Sequence, residues 1–126
     1  MAKAKGLSAV QRTLRAMRDQ GRICAIVERF NQYAGEFGRR EDLFGIIDIL
    51  VLDPERGVVG IQACGQDFKA HIRKITEEKA QESMDWLETP GTALELWGWR
   101  KVKLRPGALA MRWKPRVKIF TLDDFK

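Results

Sequence analysis

The chain has 126 residues, 44% hydrophobic and 32% charged, which suits one globular domain with its own core and leaves too little chain for two ordinary ones. No apolar run approaches the roughly 20 residues that span a bilayer, so no membrane span is expected. The formal net charge of +6 favours an acidic partner, nucleic acid first among them.

Residues 1–7 read as a flexible basic tail without the apolar segment and small-residue cleavage site of a secretory signal, and residues 8–126 as the domain. Ser8 can cap a helix whose apolar positions Val10, Leu14 and Met17 recur at helical spacing, with Gly21 as its stop. Ile23 to Phe30 reads as a strand placing Cys24, Ile26, Glu28 and Phe30 on one face. Asn31 to Phe44 is polar and glycine-bearing, a loop or irregular hairpin arm. Gly45 to Leu52 and Val58 to Cys64 read as a hairpin around the turn Asp53-Pro54-Glu55-Arg56-Gly57. Phe68 to Leu87 reads as one long helix with Phe68, Ile72, Ile75, Met84 and Leu87 near one face, ended by Pro90-Gly91. Leu94 to Trp99, Lys101 to Leu104 and Ala108 to Leu122 read as further strands, with Arg105-Pro106-Gly107 a turn and Pro115 marking an edge or a break. The sum is a single α/β domain, a mixed β-sheet flanked by helices.

Asp48 stands out, because it interrupts the apolar run Ile46-Ile47-Asp48-Ile49-Leu50-Val51-Leu52. An unpaired buried carboxylate costs several kcal/mol or is neutralised by a shifted pKa, so such a residue calls for a metal, a cation or a chemical task. Cys24 and Cys64 lie in separate apolar stretches and read as reduced core thiols, which fits a cytoplasmic location. With no CxxC pair and His71 the sole histidine, any metal is expected to take oxygen ligands.

The order helix, strand, acid-bearing hairpin, polar third strand, helix resembles the PD-(D/E)XK nuclease superfamily, and within it the archaeal-type Holliday junction resolvases and their small phage relatives. The residues carrying the resemblance are Glu28 in Val27-Glu28-Arg29-Phe30-Asn31, the segment Arg40-Glu41-Asp42-Leu43-Phe44-Gly45-Ile46-Ile47-Asp48-Ile49-Leu50, and Gly60-Ile61-Gln62-Ala63-Cys64 ahead of His71-Ile72-Arg73-Lys74. The resemblance implies a restriction-endonuclease-like core and a magnesium- or manganese-dependent DNA endonuclease that resolves branched DNA as a homodimer. It further implies a bacterial host cytoplasm if the chain is phage-encoded. Carboxylates are the natural ligands of a hard divalent cation that neutralises charge at a phosphodiester. On this pattern Glu28, Asp48 and Gln62 hold the metal, and Lys74 supplies the cation that the family places in the third strand, two residues after an acid.

Three positions depart from the pattern. Gln62 and Cys64 stand where the family has an acid and a lysine, and Gln11 stands where archaeal-type resolvases have a glutamate in the first helix. Arg39 and Arg40 are candidate phosphate contacts beside the site, and Lys101, Lys103, Arg112 and Lys114 belong to a denser basic stretch interleaved with Trp97, Trp99 and Trp113. The alternatives are a nucleic-acid-binding module that keeps a nuclease-like fold without catalysis, and a basic protein-interaction domain.

Overall fold

In a computed structural model, residues 6–126 are described. The tail expected over residues 1–7 therefore lies outside the described residues except for Gly6 and Leu7, which are exposed. The expected mixed α/β architecture is present. The elements are α1 (Ala9–Asp19), β1 (Ile23–Ile26), β2 (Arg29–Asn31), β3 (Arg39–Glu41), β4 (Ile49–Asp53), β5 (Gly57–Cys64), α2 (Phe68–Arg73), α3 (Ala80–Glu88), β6 (Thr92–Lys103) and β7 (Met111–Phe120). A π-helical turn (Lys74–Glu78) joins α2 to α3, and a 3-10 turn (Leu122–Phe125) follows β7.

Five strands form one sheet in the order β1-β4-β5-β6-β7, and β2 with β3 forms a separate two-stranded arm. Only β5 and β6 are parallel, because α2 and α3 carry the chain back across the sheet between them. Period-two alternation sorts the side chains onto two faces. Ile49, Val51, Val59, Ile61, Trp97 and Trp99 meet Leu14 and Met17 of α1 on one face. Cys64, Leu94, Leu96 and Phe120 meet Phe68 and Ile75 on the other. Each fully buried aliphatic chain contributes roughly 1.5–3 kcal/mol, and these two clusters hold the sheet between its helices. Helix α1 begins at the expected cap: the Ser8 hydroxyl accepts from the Gln11 N–H at 3.1 Å, while the Gln11 side chain accepts from the Ser8 N–H. Gln11 is thus spent on a capping box. Among the described residues, no helix is long and apolar enough to cross a membrane.

The expected elements differ in four places. The strand expected over Ile23 to Phe30 stops at Ile26: Val27 N–H still donates to Asp48 O at 2.8 Å, and the chain then leaves the sheet so that Arg29–Asn31 pair with Arg39–Glu41. Glu28 therefore lies in the connection between sheet and arm. The strand expected from Gly45 begins only at Ile49, because Leu43–Ile47 close a tight turn with Leu43 N–H on Ile47 O and with Phe44 and Gly45 both at positive φ. The long helix is broken by the π turn, where Lys79 N–H reaches Lys74 O and the Ser83 hydroxyl donates to the carbonyl of Ile75. The two strands expected from Leu94 to Leu104 are one continuous β6.

The register leaves part of the sheet projecting. Cys64 pairs with Gly98 as the last β5–β6 pair, whereas β6 and β7 continue to Lys103↔Met111 as a two-stranded hairpin. The start of β4, the end of β5 and this projection all lie at one end of the sheet. The β2–β3 arm leaves β1 at that same end.

Candidate metal and phosphate site

Among the described residues three carboxylates are buried in the sheet: Asp48, Asp53 and Glu95. Asp53 and Glu95 share Arg56, which donates to both, and Asp53 also faces Arg22 at 3.3 Å. They are buried charges satisfied by cations, which is the ordinary structural arrangement. Asp48 is only 5% exposed and no ion pair reaches it among the described residues; its companions are two further carboxylates.

The backbone explains why Asp48 points inward. It precedes β4 by one residue and already belongs to the ladder, its N–H donating to Ile61 O at 2.9 Å and its carbonyl accepting from Val27. Its side chain turns across the end of β5, where Oδ2 accepts from the Ala63 N–H at 2.9 Å. The Leu43–Ile47 turn folds Asp42 back over it. The connection from β1 delivers Glu28 to the same place, so that oxygen atoms of Glu28, Asp42 and Asp48 lie within 4.8 Å of one another.

Gln62 and Lys74 converge on Asp42. Gln62 Nε2 donates to Asp42 Oδ2 and to Ile46 O, each at 3.0 Å, and Lys74 Nζ lies 3.1 Å from the same Asp42 oxygen. Lys74 is the first residue of the π turn, and that turn sets the direction of its backbone. Gln62 is 1% exposed, and its Oε1 has no hydrogen-bond partner among the described residues. A buried amide oxygen left without a donor costs about 1–3 kcal/mol, and its presence beside three carboxylates marks an oxygen-rich site short of positive charge.

The electrostatics follow. Burial raises the Asp48 carboxyl, with the hydrogen bond to Asp42 and the charges of Asp42 and Glu28 adding to it, so its pKa stands at about 8. Burial pushes Asp42 in the same direction, but the hydrogen bond from Asp48 and the ammonium of Lys74 outweigh it and hold Asp42 below the ordinary carboxylate range. Without a bound cation, Asp48 and Asp42 share one proton.

All four residues expected at the centre are therefore brought together: Glu28, Asp48, Gln62 and Lys74. Asp42 is the one missed, and it is the residue that joins the other four. Its signal was its position six residues before Asp48, in a segment otherwise legible only as a charged loop. Arg40 lies at the margin, its Nη1 donating to Glu28 Oε1 at 3.0 Å, and Arg39 lines the polar hollow that also contains Asp42, Lys74 and Lys79.

The basic stretch divides. Alternation along β7 puts Arg112, Lys114 and Arg116 on the α2 side of the sheet, which is also the side of Gln62, and Arg116 stacks over Phe68 of α2. Arg100 lies opposite Lys114, so like charges face one another across the two strands. Lys101 and Lys103 fall on the α1 side, where Lys101 and Arg12 both approach the Trp113 ring. Trp97 and Trp99 are buried, donating to Glu95 and Thr13.

Cys64, Asp67 and His71 form a second group of donors within 4.8 Å. Burial pushes the Cys64 thiol up to about 11, so it is protonated at neutral pH and serves as a small core residue against Phe68. No family model matches the chain, no curated protein matches it and no solved structure does.

Proposed function

We propose that the protein is a divalent-metal-dependent DNA endonuclease acting on branched DNA. One observation carries the reading: Asp48 is a buried carboxylate that meets two other carboxylates where the buried carboxylates elsewhere in the sheet meet arginine. The donor set is all oxygen, which suits magnesium or manganese. Asp48, Asp42 and Glu28 would hold the ion. Gln62 adds a neutral oxygen: a half-turn of its amide brings Oε1 to the position from which Nε2 now donates to Asp42. When bound, the ion would supply charge neutralisation at the phosphate and acidify an attacking water.

The chain's own residues divide the remaining work. Lys74 is held beside Asp42 with its ammonium available to a phosphate oxygen, the task a third-strand lysine has in the family pattern. Ala63 N–H fixes the Asp48 oxygen, so the carboxylate stays oriented when its proton leaves. Arg112 and Lys114 of the projecting hairpin, with Arg116 next to them in the sheet, form a basic ladder on the site's side, suited to duplex phosphates. The site lies between this hairpin and the β2–β3 arm, a geometry that suits a substrate with diverging arms. A homodimer would set two such sites on two strands.

A second reading is favoured by the Gln62–Asp42 hydrogen bond, which completes the carboxylate pair without a metal and suits a DNA-binding protein that does not cut. Incubating the protein with a labelled four-way junction and with its linear arms, in magnesium and in chelator, separates the two. Magnesium-dependent paired incisions in the junction support the endonuclease. Salt-sensitive junction binding without incision in either magnesium or manganese supports the second reading.

A further inference from the structure

The β2–β3 arm carries aromatic rings that the fold does not use. Tyr33 is 87% exposed and Phe37 is 86% exposed, both between the paired strands of the arm. They touch neither core cluster. The arm does not need them for its own shape. Its ladder is closed by Arg29↔Glu41, Phe30↔Arg40 and Asn31↔Arg39, its turn is started by the Asn31 side chain accepting from the Tyr33 N–H, and Asn31 also donates to Glu41. Gly38 packs under the Phe30 ring, which a side chain there would have to displace, so Phe30, although 61% exposed, has a packing partner inside the arm. Tyr33 and Phe37 are left as exposed flat surfaces, and Arg29 and Arg39, on one face of the two strands that lead to them, are exposed as well.

Two large aromatic surfaces held in water at the tip of an arm whose strands carry exposed guanidinium groups match a ligand that is flat and apolar in one part and anionic in another. Unpaired nucleobases on a phosphate backbone have that chemistry, and base–aromatic stacking is tolerant of sequence. We infer that the β2–β3 arm is a stacking platform for unpaired bases, with Tyr33 and Phe37 as the stacking groups and Arg29 and Arg39 gripping the adjoining phosphates. The arm leaves β1 through Glu28, so a strand stacked there runs directly into the carboxylate cluster. The inference rests on the endonuclease reading in taking DNA as the ligand, and it assigns that enzyme to substrates with single-stranded character at the branch.

The test uses the whole chain in chelator, so that binding is read apart from cutting. The probes are a fully paired duplex and the same duplex with an internal unpaired stretch, each carrying 2-aminopurine. Tyr33→Ala with Phe37→Ala is expected to weaken binding to the unpaired probe about tenfold or more and to abolish the stacking change in 2-aminopurine fluorescence, with duplex binding within about twofold. Tyr33→Phe with Phe37→Tyr should retain both signals. Equal losses on the two probes, or none, would overturn the platform and leave the rings as a surface for a protein partner. Wild-type incision in magnesium with unchanged binding by the double alanine variant would sink the platform alone. Retained discrimination without incision would sink the endonuclease reading alone.

Discussion

Replacing Asp48 with asparagine should change the pH dependence of stability in the metal-free protein. The asparagine reproduces the protonated carboxyl: its oxygen accepts from the Ala63 N–H and its amide donates to Asp42. In the wild type, the folded pKa of about 8 lies above the ordinary unfolded value, so the stabilising proton is fully present below the unfolded value and lost as pH rises toward 8. Between these limits the folded state holds a proton that the unfolded state has released, and stability falls by about 1.4 kcal/mol per pH unit. From pH 5 to pH 7 the loss is about 1–3 kcal/mol, the upper figure being the full slope over two units. Asp42 is held below its ordinary value, so the pair binds a single proton over this range and Asp42 adds no second one to the slope. A domain of this length shifts by about 4 °C per kcal/mol. Thermal melts in chelator should therefore show Asp48→Asn gaining about 4–12 °C over the wild type between pH 5 and pH 7. Parallel curves for the two proteins would refute the shared-proton account.

Gln62→Glu replaces an amide that donates to Asp42 with a fourth carboxylate. Its metal-free stability should fall by on the order of 2–4 kcal/mol, and magnesium should recover most of the loss; a loss that magnesium does not recover would take the side chain at position 62 out of the metal's ligand set. Lys74→Met keeps the aliphatic stem and removes the ammonium. Incision should slow about 100-fold or more while stability changes by less than about 1 kcal/mol, and unchanged rates would remove Lys74 from the site. Arg112→Ala with Lys114→Ala should reduce the slope of log K against log salt by about two, whereas Lys101→Ala with Lys103→Ala, on the opposite face, should leave it near the wild-type value. The reverse pattern would place DNA on the α1 side.

The sequence was most legible where one residue type had one physical explanation. Ser8 and Gln11 mark the helix start, Asp53 to Gly57 the β4–β5 turn, and the interrupted apolar run at Asp48 the centre of the site. Period-two counting misplaced Glu28 and Phe30, because the strand ends where Val27 makes its last sheet hydrogen bond, and the Phe30–Gly38 contact that sustains a separate arm is not local in sequence. Asp42 was hidden for a related reason. Its direction depends on Phe44 and Gly45 adopting positive φ, and a phenylalanine gives no signal of that conformation. The division of the basic residues between two faces required the β6–β7 register, which composition does not contain. The π turn at Lys74 likewise left no mark in the helical pattern.

The most direct test of the central claim is strand incision by wild type, Asp48→Asn and Asp42→Asn on one labelled four-way junction in magnesium, with binding measured in parallel in chelator. The account predicts metal-dependent incision by the wild type, a loss of about 1000-fold or more in each variant, and junction affinity kept within a few-fold. Incision by Asp48→Asn at the wild-type rate, or no incision by the wild type in magnesium or manganese, would contradict it.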